Sequence, residues 1–164
     1  MSSLVRARAG ALAGILSAIA SPAYAADATG NLTYKGRTVA IKHAWLVTGP
    51  SDMEPGKTVR RLVLSSTDIG AKLEACKTFS CTDGTVMEGA TVDLAGGSRL
   101  NYWTVLDGQK IQYSGTARNE SLSTRSNEAG RVAGSLAIDD TAGGGAKLNA
   151  DFDVTVLKDF KVAR

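Results

Sequence analysis

Residues 37–48, with the sequence RTVAIKHAWLVT, determine the fold that we expect for this chain. Mostly apolar residues recur at every second position along this stretch, which predicts a strand with one buried face. Lys42 and Thr48 fall on the other face, and a Gly-Pro loop at 49–57 ends the strand. The residues predicted to share the buried face are Val39, Ile41, His43, Trp45 and Val47.

Further strand-like stretches occupy most of the remaining chain, and turn signals separate them. Residues 69–76 are the exception, since they predict a short helical turn capped by Asp68. About eight strands without intervening helices predict a single antiparallel all-β domain. We expect a barrel-like sheet, with a β-sandwich as the alternative. The further predicted strands are 31–35, 58–66, 85–94, the two arms of 99–118, 131–139 and 145–157.

The first of two predicted hairpins centres on Asp107-Gly108, a preferred pair for a two-residue turn. That turn places Tyr102 opposite Tyr113 and leaves Trp103 on a mostly polar face. The residues predicted to face inward are Leu100, Tyr102, Ile111 and Tyr113.

The second predicted hairpin pairs 131–139 with 145–157 around three glycines. Matching the apolar faces places Val132 opposite Phe152, and it places Arg131 opposite Asp153.

The first 25 residues have the pattern of a signal peptide. Two arginines precede the apolar run 9–20, and Ala-Tyr-Ala at 23–25 places small residues where a signal peptidase reads the chain. The apolar run is shorter than the roughly 20 residues that a membrane-spanning helix needs. We therefore expect cleavage after Ala25, a single β domain over 26–164, and a periplasmic or secreted location.

Cys76 and Cys81 are the two cysteines of the chain. In an oxidising compartment two such neighbouring cysteines normally form a disulfide. A structural zinc site needs four ligands, and His43 is the single histidine. We therefore interpret the pair as a structural disulfide that closes a short loop.

Composition excludes several classes of function. The formal net charge of +3 and the absence of a clustered basic stretch argue against a nucleic-acid partner. The chain has neither a glycine-rich phosphate loop nor a serine-hydrolase elbow, and its carboxylates match no calcium loop. We assign no catalytic residue, and we expect no cofactor and no metal.

Three functions remain open. An enzyme, the least favoured, would be a hydrolase that depends on His43. An envelope interaction or inhibitor protein would use an exposed strand edge, the loop 49–57 or Trp103. The most favoured is a non-enzymatic binding module for a small apolar or amphipathic ligand held inside the barrel. The predicted ligand contacts of that module are His43, Trp45, Tyr102 and Tyr113.

The stretch GRTVAIKHAWLV at 36–47, followed by a Gly-Pro loop and by VRRLVLSS at 59–66, carries one resemblance. It resembles the opening of small exported bacterial β-proteins whose function is not characterised. The resemblance implies export and β structure, and it implies no activity.

Overall fold

The computed structural model describes residues 26–52, 54–94, 98–108 and 111–164. The predicted signal peptide, residues 1–25, lies outside this range. The described residues form one mostly antiparallel sheet that curls into a half-barrel, which confirms the predicted all-β, barrel-like class. The sheet has nine strands, compared with about eight expected from the sequence.

Short connections join most of the strands. A helix, α1 (Gly70–Ala75), and a 3-10 turn, Phe79–Gly84, lie between the third and fourth strands. Two shorter 3-10 turns are Asn119–Ser121 and Thr141–Gly143. The strands are β1 (Ala26–Tyr34), β2 (Arg37–Pro50), β3 (Thr58–Ser65), β4 (Gly89–Asp93), β5 (Arg99–Val105), β6 (Tyr113–Arg118), β7 (Leu122–Glu128), β8 (Arg131–Asp139) and β9 (Lys147–Asp159).

The strand order explains why the barrel stays open. The order is β6-β5-β4-β3-β2-β1-β9-β8-β7, and all of these neighbours are antiparallel. Directions alternate across the sheet, so β6 and β7 at its two ends run the same way. Parallel neighbours need a crossover of about a dozen residues or more, whereas Asn119–Ser121 provides three. β6 and β7 therefore cannot pair side by side, and a seam remains between them.

β2 is buried on both faces along its second half. Trp45 and Val47 lie on the outer face, while the interior residues of the same strand are Val39, Ile41, Ala44 and Leu46. The prediction that 39–47 presents a single buried face is therefore wrong. The pairing of β2 with β1 is irregular opposite Lys42, and the alternation changes phase there.

The helix α1 and the disulfide loop cover the outer face. Ile69, Leu73 and Cys76 lie on the apolar side of this segment and pack into one cluster with Trp45. The Asp68 carboxylate accepts the Gly70 N–H at 2.9 Å, which satisfies an amide at the start of the helix. The predicted disulfide between Cys76 and Cys81 is present.

The first predicted hairpin forms with its register shifted by two residues. Tyr102 lies opposite Gly115, and Tyr113 lies opposite Thr104. A shift by two keeps each side chain on its predicted face, so both tyrosines still face the interior. Ile111, which was also predicted to face inward, is 47% exposed, so that prediction is wrong. The cause is a longer loop, in which the Gly108 N–H donates to the Met87 carbonyl at 2.8 Å.

The second hairpin shows the same two-residue shift. Val132 lies opposite Val154 rather than Phe152, because the turn Thr141–Gly143 lengthens the connection between β8 and β9. The predicted ion pair between Arg131 and Asp153 nevertheless forms, with 2.6 Å between Nη2 and Oδ2.

The disulfide should contribute measurably to stability. Replacing both cysteines with serine (Cys76→Ser, Cys81→Ser) is expected to lower the free energy of unfolding by about 2 kcal/mol, because the small loop gains conformational freedom in the unfolded chain. Urea unfolding of the oxidised parent and of the double variant measures this difference. Equal midpoints would show that the bridge does not restrain the unfolded chain.

Candidate functional site

The four residues predicted to bind a ligand lie on two different faces of the sheet. His43 and Trp45 stack on the outer face, with 5.8 Å between ring centroids. Tyr102 and Tyr113 lie in the interior, 5.9 Å apart. The structure brings each pair together but does not bring the two pairs together. Joint binding of a ligand by these residues therefore stays a prediction.

Tyrosine side chains fill the interior near the seam. Tyr34 lies 5.5 Å from Tyr113, and Tyr102 is fully buried and donates its hydroxyl hydrogen to Asp140. A Cβ at position 115 would lie 2.7 Å from the Tyr102 ring, so glycine is required for this packing. Burial, followed by the contacts with Asp140, raises the pKa of Tyr102 and keeps its phenol protonated. The hydrogen bond thus links β5 to the segment that follows β8.

The seam contains a cleft of about 420 Å³, which we call the seam cleft. β6 forms one wall, and along its length it pairs only with β5 among the described strands. The end of β8 forms the other wall, because β7 pairs with β8 only as far as Leu136. Two strand edges thus face one cleft. Its lining residues are Thr116, Ala117, Arg118, Glu120, Ser121, Ala137, Ile138, Asp139 and Asp140.

Backbone amides of both walls point into the seam cleft. The Asn119 N–H donates to the Ser98 carbonyl on the β5 side, and strand amides alternate, so those of Ser114, Thr116 and Arg118 point away from β5. On β8 the Asp140 N–H donates to Ala146 on the β9 side. By the same alternation, the amides of Ala137 and Asp139 point toward the cleft.

The walls of the seam cleft have an apolar inner side and a polar outer side. Ala117 and Ile138 are buried, whereas Thr116 and Ala137 are exposed. The hydrogen bonds from Lys147 and Thr141 lower the pKa of Asp139 to about 2, so this carboxylate is charged at neutral pH. An extended chain in the cleft would therefore contact small apolar groups on one face and charges on the other.

A second cleft, the outer cleft, has a volume of about 200 Å³ and surrounds Arg61. Arg61 is 7% exposed and donates to Asp93 through Nε at 2.6 Å, and to Asp83 through Nη1 at 2.6 Å. Its guanidinium lies 4.5 Å from the Phe79 ring and 5.3 Å from the Trp103 ring. Burial acts to lower the pKa of Arg61, but the two carboxylates outweigh it and raise the pKa.

The outer cleft contains Trp103, which was predicted to contact a partner, and part of the loop 49–57. Ser51 and Asp52 from that loop line the cleft, and the Ser51 N–H donates to the Lys57 carbonyl at 2.8 Å. Arg61 occupies the space between Phe79 and Trp103 with three of its hydrogen bonds satisfied. This arrangement ties the Phe79–Gly84 turn to the sheet, and it is primarily structural.

His43, the residue on which a hydrolase would depend, lies between Asp27 on β1 and Ser65 on β3 in directly paired positions. The buried Nδ1 of His43 has no hydrogen-bond partner among the described residues. Ser65 is fully buried, and its hydroxyl accepts the Thr67 N–H at 3.2 Å. A nucleophile must reach its substrate, and Ser65 is buried. Asp27, His43 and Ser65 therefore support no catalytic proposal.

Comparison with known proteins gives no match to a family model, to a curated protein or to a solved structure. Within the described ranges, no helix has the length and apolar character needed to cross a bilayer. In the same part of the chain, no group of three or more His, Cys, Asp or Glu side chains is placed to bind a metal ion.

Neither cleft was predicted from the sequence. A signal for the Arg61 network was present, since Arg61 alternates with Val59 and Val63 and therefore shares their face. The seam cleft left no local signal, because it depends on which strands pair across the whole sheet.

Replacing Arg61 tests how much its contacts between the Phe79–Gly84 turn and the sheet stabilise the protein. Replacing Arg61 with methionine (Arg61→Met) should lower the free energy of unfolding by about 3–5 kcal/mol, since Asp93 is left buried without its partner. Urea unfolding measures the loss. Arg60→Met, on the same strand with its side chain on the opposite face, is the matched control and should cost about 1 kcal/mol or less. Equal losses in the two variants would refute a special role for Arg61.

Proposed function

We propose that this chain is an exported, non-enzymatic interaction protein that binds an extended segment of another protein at the seam cleft. The observation that carries the proposal is the pair of unpaired strand edges, on β6 and on the end of β8, that face one cleft. An extended chain added to such an edge gains main-chain hydrogen bonds, and this is a recurring mode of peptide recognition.

The two end strands differ in how they protect their edges. β7 has a register irregularity between Thr124 and Ser126, and it contains Arg125 and Glu128. Bulges and charges of this kind keep edge strands from pairing with other chains. β6 pairs regularly with β5, and its single charged residue, Arg118, comes at its end. The contrast favours β6 as the edge that accepts a partner.

Export fits this proposal. The disulfide between Cys76 and Cys81 is of the kind that persists in oxidising compartments. The pattern of residues 1–25 is typical of a signal peptide, which supports export. The filled interior around Tyr102 favours partner binding over a small ligand held inside the barrel.

Photo-crosslinking in the native compartment tests the proposal. A crosslinking residue at Ser114, which is exposed on β6, should trap one discrete partner. The same group at Thr155, which is exposed on β9, should trap none. Adding Thr116→Pro should abolish the adduct at Ser114, since proline removes an amide that points to the free edge and leaves the pairing with β5 intact.

The difference in crosslinking between Ser114 and Thr155 decides whether the proposal holds. Equal crosslinking at Ser114 and Thr155, or an adduct that survives Thr116→Pro, would contradict binding at the β6 edge. A thermal melt of the Thr116→Pro variant serves as the folding control.

A further inference from the structure

The seam cleft is polarised along its length, and this polarity specifies its occupant. We infer that the occupant is an extended peptide antiparallel to β6, with an acidic residue opposite Arg118, a small apolar residue opposite Ala117 and a basic residue opposite Thr116. The inference rests on the proposed function and names the chemistry of the partner.

The lining of the seam cleft sets the length of the recognised core. On β6 it contains three consecutive strand residues, Thr116, Ala117 and Arg118. A peptide paired with this part of β6 has three residues opposite them.

One end of the seam cleft is basic. Arg118 on β6 lies directly opposite Arg99 on β5, and both are exposed. Neither guanidinium forms an ion pair in the part of the chain that the structure describes. Like charges in directly paired positions repel each other, and one carboxylate, that of Glu120, lies among the cleft residues at this end. An acidic residue of the partner would relieve the repulsion.

The other end of the seam cleft is acidic. β7 begins opposite Leu136, so Ala137 lies near the Arg118 end. Asp140 accepts the hydroxyl hydrogen of Tyr102, which is paired with Gly115, so the end of β8 lies toward Thr116. Asp139 contributes an exposed carboxylate there, 2.8 Å from the Lys147 ammonium, and Asp140 adds a second negative charge on the inner side. A basic residue of the partner is therefore favoured at this end.

The middle position faces the interior. Residues opposite Arg118 and Thr116 project outward with those side chains, and the residue between them projects inward. It meets Ala117 and Ile138, which are 7% and 1% exposed. The space beyond them is filled by Tyr102, so the middle side chain must be small and apolar.

The direction of the peptide follows from the two walls. β6 offers an edge of six residues, whereas β8 offers the three residues beyond Leu136. Antiparallel pairing is the more stable arrangement per residue, so pairing with β6 dictates the orientation. Read from its N-terminus, the core is therefore acidic, then small apolar, then basic.

Fluorescence anisotropy with two labelled peptides of equal composition tests this inference. A hexapeptide with the core Glu-Val-Lys should bind at least about tenfold more tightly than one with the core Lys-Val-Glu, because reversing the order places like charges together at both ends. Methylating the lysine amide nitrogen of the first peptide should weaken its binding by a similar factor, since that group pairs with the edge of β6.

Matched variants locate the acidic contact. Arg118→Glu should weaken the Glu-Val-Lys peptide about tenfold, whereas Arg125→Glu on β7 should leave its affinity unchanged. The comparison of the two peptides on the unaltered protein remains decisive even if a variant does not fold.

The outcomes separate the inference from the proposed function. Equal affinity for both peptides, together with position-dependent crosslinking at Ser114, would overturn the charge order and leave the edge interaction in place. Loss of the crosslinking pattern would overturn both. A concentration-dependent dimer in sedimentation equilibrium would assign the edge to a second copy of this chain and would also overturn the inference.

Discussion

The short link between β6 and β7 keeps the two ends of the sheet from pairing and so leaves the barrel open. The two strands run in the same direction, and the three residues Asn119–Ser121 cannot carry the chain back for parallel pairing. β6 therefore pairs with β5, β7 pairs with the first part of β8, and the chain runs from one side of the seam to the other. A curled sheet of nine strands is left with an opening that no strand of the described chain fills.

Side-chain contacts bridge this opening on its inner side. Inside, Tyr102 on β5 bonds to Asp140 after β8, and the hydroxyl of Tyr113 packs against Gly145. A Cβ at position 145 would lie 2.5 Å from that hydroxyl, so the approach requires glycine. The seam cleft is therefore formed in the free protein, which lowers the entropy cost of binding an extended chain.

The helix α1 and the Phe79–Gly84 turn cover the outer face and stiffen the side of the sheet opposite the seam. Arg61 ties the Phe79–Gly84 turn to β3 and β4, and the disulfide holds the segment between α1 and that turn. Lys158 on β9 adds a hydrogen bond to the Glu74 carbonyl at 2.6 Å. Because both faces of β2 are buried beneath these contacts, the centre of the sheet is rigid and flexibility is left to its edges.

Local patterns predicted the elements of this fold better than their pairing. Alternation identified β2 and both hairpins, and the cysteine spacing identified the disulfide. The register of each hairpin was wrong by two residues, because a shift of two preserves the faces and so leaves the apolar pattern unchanged.

Three features had no signal that a strand pattern could show. β7, with the sequence LSTRSNE, has no buried residue and thus no apolar alternation. The phase change in β2 lies near Lys42, where the pairing with β1 is irregular. The seam cleft depends on the order of all nine strands, which lies beyond any local pattern.

Amide hydrogen exchange of β6, with and without the Glu-Val-Lys peptide, tests whether β6 presents an unpaired edge that accepts an extended chain. In the free protein the amides of Ser114, Thr116 and Arg118 should exchange rapidly, because they point to an unpaired edge. Binding should slow these three by at least about tenfold and leave Gly115 and Ala117, which already pair with β5, unchanged. Protection of all five amides in the free protein, or the absence of any alternating change on binding, would show that β6 does not bind an extended chain at an unpaired edge.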